Sequence, residues 1–158
     1  MKKYIISAIA IVALHALPTY AQNYRQFVIE GTQALEAGKT DDAIENYTKA
    51  IALAPENRAN EYIYANLAAA YIQSKNTKEA ENIYNTALEK FPESNNLLKL
   101  RGNFYLDTGN PDKAQKDYNK ILINEPYNQE VLYHRAYIHV KNKETEKAYS
   151  DYYAILTA

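Results

Sequence analysis

The sequence predicts an all-α protein built from one helix-turn-helix unit written four times, and three observations carry that reading. Ala43, Ala80, Ala114 and Ala148 stand 37, 34 and 34 residues apart, and each is followed four places on by Tyr47, Tyr84, Tyr118 or Tyr152. Twelve residues before each Ala lies another small residue (Gly31, Ala68, Gly102, Ala136), and twelve after the first three lies a proline (Pro55, Pro92, Pro126). Between these marks apolar residues recur at helical intervals in two blocks per unit, which is the signature of a repeat array of paired helices.

The chain opens differently. Met1-Lys2-Lys3 is a short positive start, Tyr4 to Leu17 is mostly apolar, and Pro18-Thr19-Tyr20-Ala21 ends in small residues suited to cleavage. This predicts a secretory signal peptide over residues 1–21, cut after Ala21. At ~1.5 Å per residue the apolar run falls short of a ~30 Å hydrocarbon core, and Ser7 and His15 interrupt it, so no stable membrane span is expected after cleavage. The expected destination is a bacterial cell envelope, with the protein periplasmic or secreted. Lys2 and Lys3 leave with the leader, so the exported form is mildly acidic.

Residues 22–158 then form the repeat domain, with units at about 24–57, 61–94, 95–128 and 129–158. Asn23, Asn60, Ser94 and Asn128 hold equivalent places before the first helix of each unit, where a short polar side chain caps free backbone N–H groups. Turns are expected at Gly38-Lys39-Thr40, Lys75-Asn76-Thr77, Gly109-Asn110-Pro111 and Lys143-Glu144-Thr145. Thr40, Thr77, Asn110 and Thr145 are the candidate caps of the second helices, and Pro111 suits a first helical position because its missing N–H is not needed there. Three residues around Arg58-Ala59-Asn60 account for the longer first interval. Small residues where the paired helices cross permit close approach of their backbones, and the Tyr of the second helix fills the space toward the next unit. The prolines stop the second helix and redirect the chain.

Composition removes several functions. With 158 residues and a formal charge of −1 there is no basic field for binding nucleic acid. Zero Cys removes disulfides, thiolate nucleophiles and thiolate zinc sites. His134 and His139 are five apart, on different sides of a helix, and do not make an i, i+4 zinc pair. No HExxH, GxSxG, GxGxxG or phosphate-cradling loop occurs, and the Asp41-Asp42 pair suits the positive end of a helix. No catalytic residue, metal or cofactor is expected, and the protein reads as a non-enzyme.

These spacings resemble the tetratricopeptide repeat, a 34-residue helix-turn-helix unit with small, aromatic and Pro residues at set offsets. Numbered from Tyr24, Glu61, Asn95 and Gln129, the eighth position is Gly31, Ala68, Gly102 and Ala136, the twentieth Ala43, Ala80, Ala114 and Ala148, and the twenty-fourth Tyr47, Tyr84, Tyr118 and Tyr152. The usual fourth-position Trp is replaced by Phe27, Tyr64, Leu98 and Leu132; the eleventh position is Ala34, Tyr71, Tyr105 and His139, the last expected to stand in for a core Tyr. The resemblance implies a right-handed α-solenoid of four units whose first helices line a concave groove, and recognition of a partner protein or peptide there.

Groove positions of the family fall on Tyr62, Asn66, Lys99, Asn103, Tyr133, His134 and Tyr137, with Arg25, Asp107, Glu130 and Lys141 beside them. Lys99 and Asn103 match the opening of the clamp with which chaperone-tail-binding relatives hold a C-terminal carboxylate, but His134 replaces the next Asn and a further basic unit is missing, so the complete clamp is absent. Tyr133 and Tyr137 lie one helical turn apart and, as rigid rings with polar tips, suit a contact surface. At the other end, Tyr149, Tyr153, Ile155, Tyr152 and Leu156 lie on a last helix that the sequence does not follow with a capping helix. Two functions are therefore expected: an exported protein-binding adaptor that uses its groove, or a structural subunit that pairs with its own copy or another protein through that end.

Overall fold

The computed structural model describes the backbone of residues 3–157 and the side chains from Tyr20 onward. All but the last two residues of the leader expected over residues 1–21 therefore lie outside those whose side chains are described. Among the described residues the chain is eight helices and no strand: α1 (Lys3–Glu36), α2 (Thr40–Leu53), α3 (Asn60–Gln73), α4 (Thr77–Lys90), α5 (Asn95–Asp107), α6 (Pro111–Asn124), α7 (Gln129–Lys141) and α8 (Thr145–Thr157). They group into two compact units, residues 1–85 and 86–158, with the boundary inside α4. In the first, α1 packs on α2 and α2 on α3; in the second, α5 packs on α6, α6 on α7 and α7 on α8.

All four turns fall where the sequence places them and share one closure. Gly38, Lys75, Gly109 and Lys143 take left-handed backbone, with φ of 73, 62, 76 and 61°. In each turn the next N–H reaches back to the fifth carbonyl before it: Lys39 to Ala34 at 2.9 Å, Asn76 to Tyr71 at 2.8 Å, Asn110 to Tyr105 at 2.7 Å and Glu144 to His139 at 2.8 Å. These are Schellman closures that satisfy otherwise free helix-end carbonyls. Glycine adopts that conformation without strain, whereas Lys75 and Lys143 crowd a Cβ against the following carbonyl.

The caps divide. Ser94 accepts from the Leu97 N–H at 3.0 Å and Asn128 from the Val131 N–H at 3.1 Å, as expected. Asn60 is instead the first residue of α3 and fully buried; its amide donates to the Ala54 and Pro55 carbonyls at 2.6 and 3.3 Å, and its Oδ1 accepts from the Tyr24 hydroxyl at 3.0 Å. It binds α1 to the proline turn rather than capping a helix. Asn23 lies inside α1, which runs unbroken from Lys3, so it caps nothing while that helix is continuous. Thr40, Thr77 and Thr145 are first helical residues, not caps. Asn110 holds the cap position of α6 but spends its amide on the Thr108 carbonyl at 3.0 Å, and Pro111 begins the helix as expected.

The crossings follow the predicted rule. A Cβ placed on Gly31 would lie 2.9 Å from the Tyr47 ring, and one on Gly102 2.6 Å from the Tyr118 ring. Tyr47 and Tyr118 are wholly buried, and Ala43, Ala50, Ala80, Ala87, Ala114 and Ala136 have no exposed surface. Tyr152, the fourth copy, is 36% exposed, since among the described residues no helix follows α8 to cover it. The buried hydroxyls of Tyr47 and Tyr118 each find an acceptor fifteen residues back: Tyr47 donates to Thr32 Oγ1 at 3.1 Å and Tyr118 to Asn103 Oδ1 at 2.7 Å.

Burial pushes the Tyr84 phenol up to about 12 and raises Tyr118 further, helped by the Asp107, Asp117 and Glu130 carboxylates. A phenol whose folded pKa lies above the unfolded value near 10 stabilises the fold fully below that pH and stops doing so as pH rises through the folded value. Stability is thus expected to fall from about pH 10 toward 12, by roughly 2–3 kcal/mol through Tyr84 alone, and Tyr84→Phe to flatten that slope. Urea midpoints taken across this range, with tyrosinate absorbance followed in parallel, measure it. Gly102→Ala is expected to cost about 1–3 kcal/mol by overpacking against Tyr118, whereas Lys143→Gly gains about 0.5–1 kcal/mol by relieving left-handed strain; a change of the opposite sign for either variant in urea denaturation would contradict its packing account.

Candidate functional site

Sixteen residues separate the seventh and twenty-third positions of each repeat, and in the last two repeats they hold an ion pair that sequence reasoning missed. Arg101 forks onto Asp117, Nε to Oδ2 at 2.8 Å and Nη2 to Oδ1 at 2.7 Å. Arg135 does the same to Asp151 at 2.9 and 2.6 Å and sends Nη1 to Asn119 Oδ1 at 2.8 Å, tying α6, α7 and α8 together. Asp117 and Asp151 are buried, and two parallel charge-assisted bonds keep each carboxylate satisfied. The second repeat has Leu67 and Ile83 at these positions, Leu67 in the apolar core cluster of the first unit and Ile83 packed against it. That exchange of a charge pair for an apolar pair at constant spacing was the available signal.

The predicted groove residues separate into engaged and exposed groups. Lys99 pairs with Glu130 at 2.9 Å, and Asn103 accepts from Tyr118, so the two residues that resembled a carboxylate clamp already serve the protein's own helices. His134 stacks on Tyr118 with ring centroids 5.8 Å apart and meets Tyr133 edge-on at the same distance. Tyr133 also packs edge-on against Tyr152. Tyr133 and Tyr137 nevertheless stay exposed on α7 with Val140, and the Lys141 ammonium stands 5.3 Å over the Tyr137 ring. His139 is buried as a core substitute; Nδ1 meets Glu144 Oε2, and Nε2 lies 3.8 Å from Asp151 Oδ2. Hydrogen bonds from Lys147 and then His139 hold the Glu144 carboxyl below the usual range.

In the first unit, Tyr62 and Asn66 of α3 and Arg25 of α1 come together around one cleft of about 240 Å³. Val28, Ile29 and Ile63 complete most of its walls. Tyr62 is 65% and Ile29 55% exposed, so this is apolar surface presented to solvent. Val28 and Ile29 are the fifth and sixth residues of the first repeat, where an aliphatic side chain looks in sequence the same as one that packs in the core.

On α8, Tyr149 and Tyr153 stack with centroids 6.1 Å apart and are largely exposed, as is Leu156; Ile155 is half-buried. The first-helix sites and α8 are the exposed apolar surfaces to which the sequence pointed. No helix among the described residues is long and apolar enough to cross a membrane, and no group of three or more His, Asp or Glu among them is placed to hold a metal ion.

Two tetratricopeptide repeat models match the chain, over residues 34–104 and 99–158. Together with the eight helices among the described residues, these matches place the chain in the tetratricopeptide repeat family, an all-α fold of the α-solenoid class whose members are protein-interaction modules. Among solved structures it is similar to a tetratricopeptide repeat protein from Parabacteroides merdae, with 27% identity over 86% of this chain and a TM-score of 0.80; this chain spans 53% of that protein's length. It is similar to the first repeat domain of Spaghetti (RPAP3) bound to the HSP90 peptide SRMEEVD, with 27% identity, 77% of this chain and 94% of that one covered, and a TM-score of 0.65. The fold is also shared with MamA, at 18% identity, with 90% and 82% covered and a TM-score of 0.74. No curated protein matches the chain.

Asn103→Ala is expected to cost about 1–3 kcal/mol, because it strands the buried Tyr118 hydroxyl, with part of the loss recovered by adding Tyr118→Phe. Lys99→Ala is expected to change stability by less than about 0.5 kcal/mol, since its ion pair is half-exposed. A double-mutant cycle in urea separates the two.

Proposed function

We propose that this protein is an exported protein–protein interaction module that binds a partner through exposed side chains of its first helices, as an adaptor in an envelope or secreted assembly. The observation that carries this is the display of Ile29, Tyr62, Tyr133, Tyr137 and Val140 to solvent on α1, α3 and α7. Exposed apolar and aromatic side chains suit contact with a partner, and tyrosines give large contact area at low entropy cost. Partner binding of this kind has a precedent in the Spaghetti domain and its HSP90 peptide. With Lys99 and Asn103 engaged internally, we do not carry a carboxylate clamp over to this chain.

Export rests on the leader pattern of residues 1–21. Cleavage after Ala21 would leave Asn23 beside a new N-terminus, where its side chain is free to cap the shortened α1. A second reading has its own support: the stacked Tyr149–Tyr153 pair and the bare Leu156 make α8 a docking face for a second copy or a fixed neighbour.

Crosslinking with mass spectrometry in the native envelope tests both. Tyr62→Ala with Tyr137→Ala is expected to reduce capture of the partner at least ~10-fold, and Tyr149→Ala with Tyr153→Ala to leave it unchanged. The reverse pattern transfers the interface to α8. The mature protein is expected to begin at Gln22, and a chain still starting at Met1 in the envelope fraction argues against export by cleavage.

A further inference from the structure

We infer that the cleft between α1 and α3 takes one apolar side chain of a partner segment that carries a carboxylate next to it, and that Arg25 reads that carboxylate. This narrows the interaction-module reading and rests on it. The cleft, at about 240 Å³, lies below the ~300–1,000 Å³ typical of small-molecule pockets, a size that suits one inserted side chain rather than a metabolite. Its walls are Val28, Ile29, Ile63 and the Tyr62 ring, which favour an aliphatic or aromatic anchor.

The polar groups at the cleft divide by availability. The Tyr24 hydroxyl is spent on Asn60, and burial raises its pKa, so it offers the ligand its ring. Asn66 brings an amide that can donate to and accept from a peptide backbone. Arg25 is the one charged residue of the lining. It is exposed and has no ion-pair partner among the described residues, whereas Arg101 and Arg135 are each forked onto an aspartate. The nearest acidic residue along α1, Glu30, already accepts from Gln26 Nε2 at 2.8 Å. A planar guanidinium beside an apolar slot complements a carboxylate beside an apolar side chain and can grip it through two parallel hydrogen bonds. The Arg25 charge also makes a basic flank on the partner repulsive, which supplies specificity.

Selection from a random-peptide phage library on the full chain tests this, with Arg25→Glu and Ile29→Ser in parallel and circular dichroism confirming that each variant keeps its helices. The parent is expected to enrich sequences that pair an apolar residue with an adjacent Asp or Glu, and Arg25→Glu to switch the flank to Lys or Arg. A synthetic peptide of the leading parent sequence is expected to bind either variant at least ~10-fold more weakly. Enrichment of the same acidic sequences by Arg25→Glu, or unchanged binding to Ile29→Ser, overturns the assignment. If enrichment depends on Tyr137 and not on Arg25, this site fails while the module reading stands; if the parent enriches no sequence, both fail.

Discussion

The contact on which the repeats depend is a tyrosine ring laid against a small residue, and in the first and third repeats that position has no room even for a methyl group. At Gly31 and Gly102 the space a Cβ would take is filled by Tyr47 and Tyr118, so the two helices of a repeat meet through a ring and bare backbone. Burying that ring contributes a large apolar area, but it also takes a hydroxyl out of water, and a buried hydroxyl without a partner is costly. Thr32 and Asn103 answer that demand from the facing helix. A position that in the family lines the groove is therefore drawn into the scaffold. This is why Asn103, read as a ligand residue, turns out to support the fold.

The neighbouring layer shows how one packing problem admits two solutions. Arg101–Asp117 and Arg135–Asp151 bury carboxylates at the same register where Leu67 sits in the apolar core with Ile83 packed against it. Replacing a buried ion pair by well-packed apolar residues is often neutral, so either choice preserves the repeat. What differs is connection: Arg135 reaches Asn119 as well as Asp151 and so links three helices, which an aliphatic side chain does not do by hydrogen bonding. Arg25 stands apart from this arrangement as a cation in the lining of an apolar cleft, which gives it its functional interest.

Much of the fold was legible because it rests on local rules. The four turns could be placed from Gly, Pro and short polar residues, and the left-handed position recurs in each even where Lys replaces Gly. The crossings could be placed from the small and aromatic spacing. The second-helix threonine caps were misplaced because closure of the turn depends on the backbone returning to the first helix and leaves the Thr hydroxyl without that task. Asn60 was read as a cap for the same local reason, although its buried amide answers carbonyls of the proline turn and the hydroxyl of Tyr24.

The sequence by itself determined the all-α class, the repeat spacing and the core tyrosines Tyr47, Tyr84 and Tyr118, because helical periodicity and steric fit are carried by residue type and spacing. Only the tertiary structure decided which polar side chains are occupied. Lys99, Asn103, His134 and Asn60 find partners on other helices that no spacing along one helix discloses. It also brought Val28 and Ile29 of α1 and Tyr62 of α3 around one cleft, because which residues of two helices share a cleft is set by their packing and not by either helix alone.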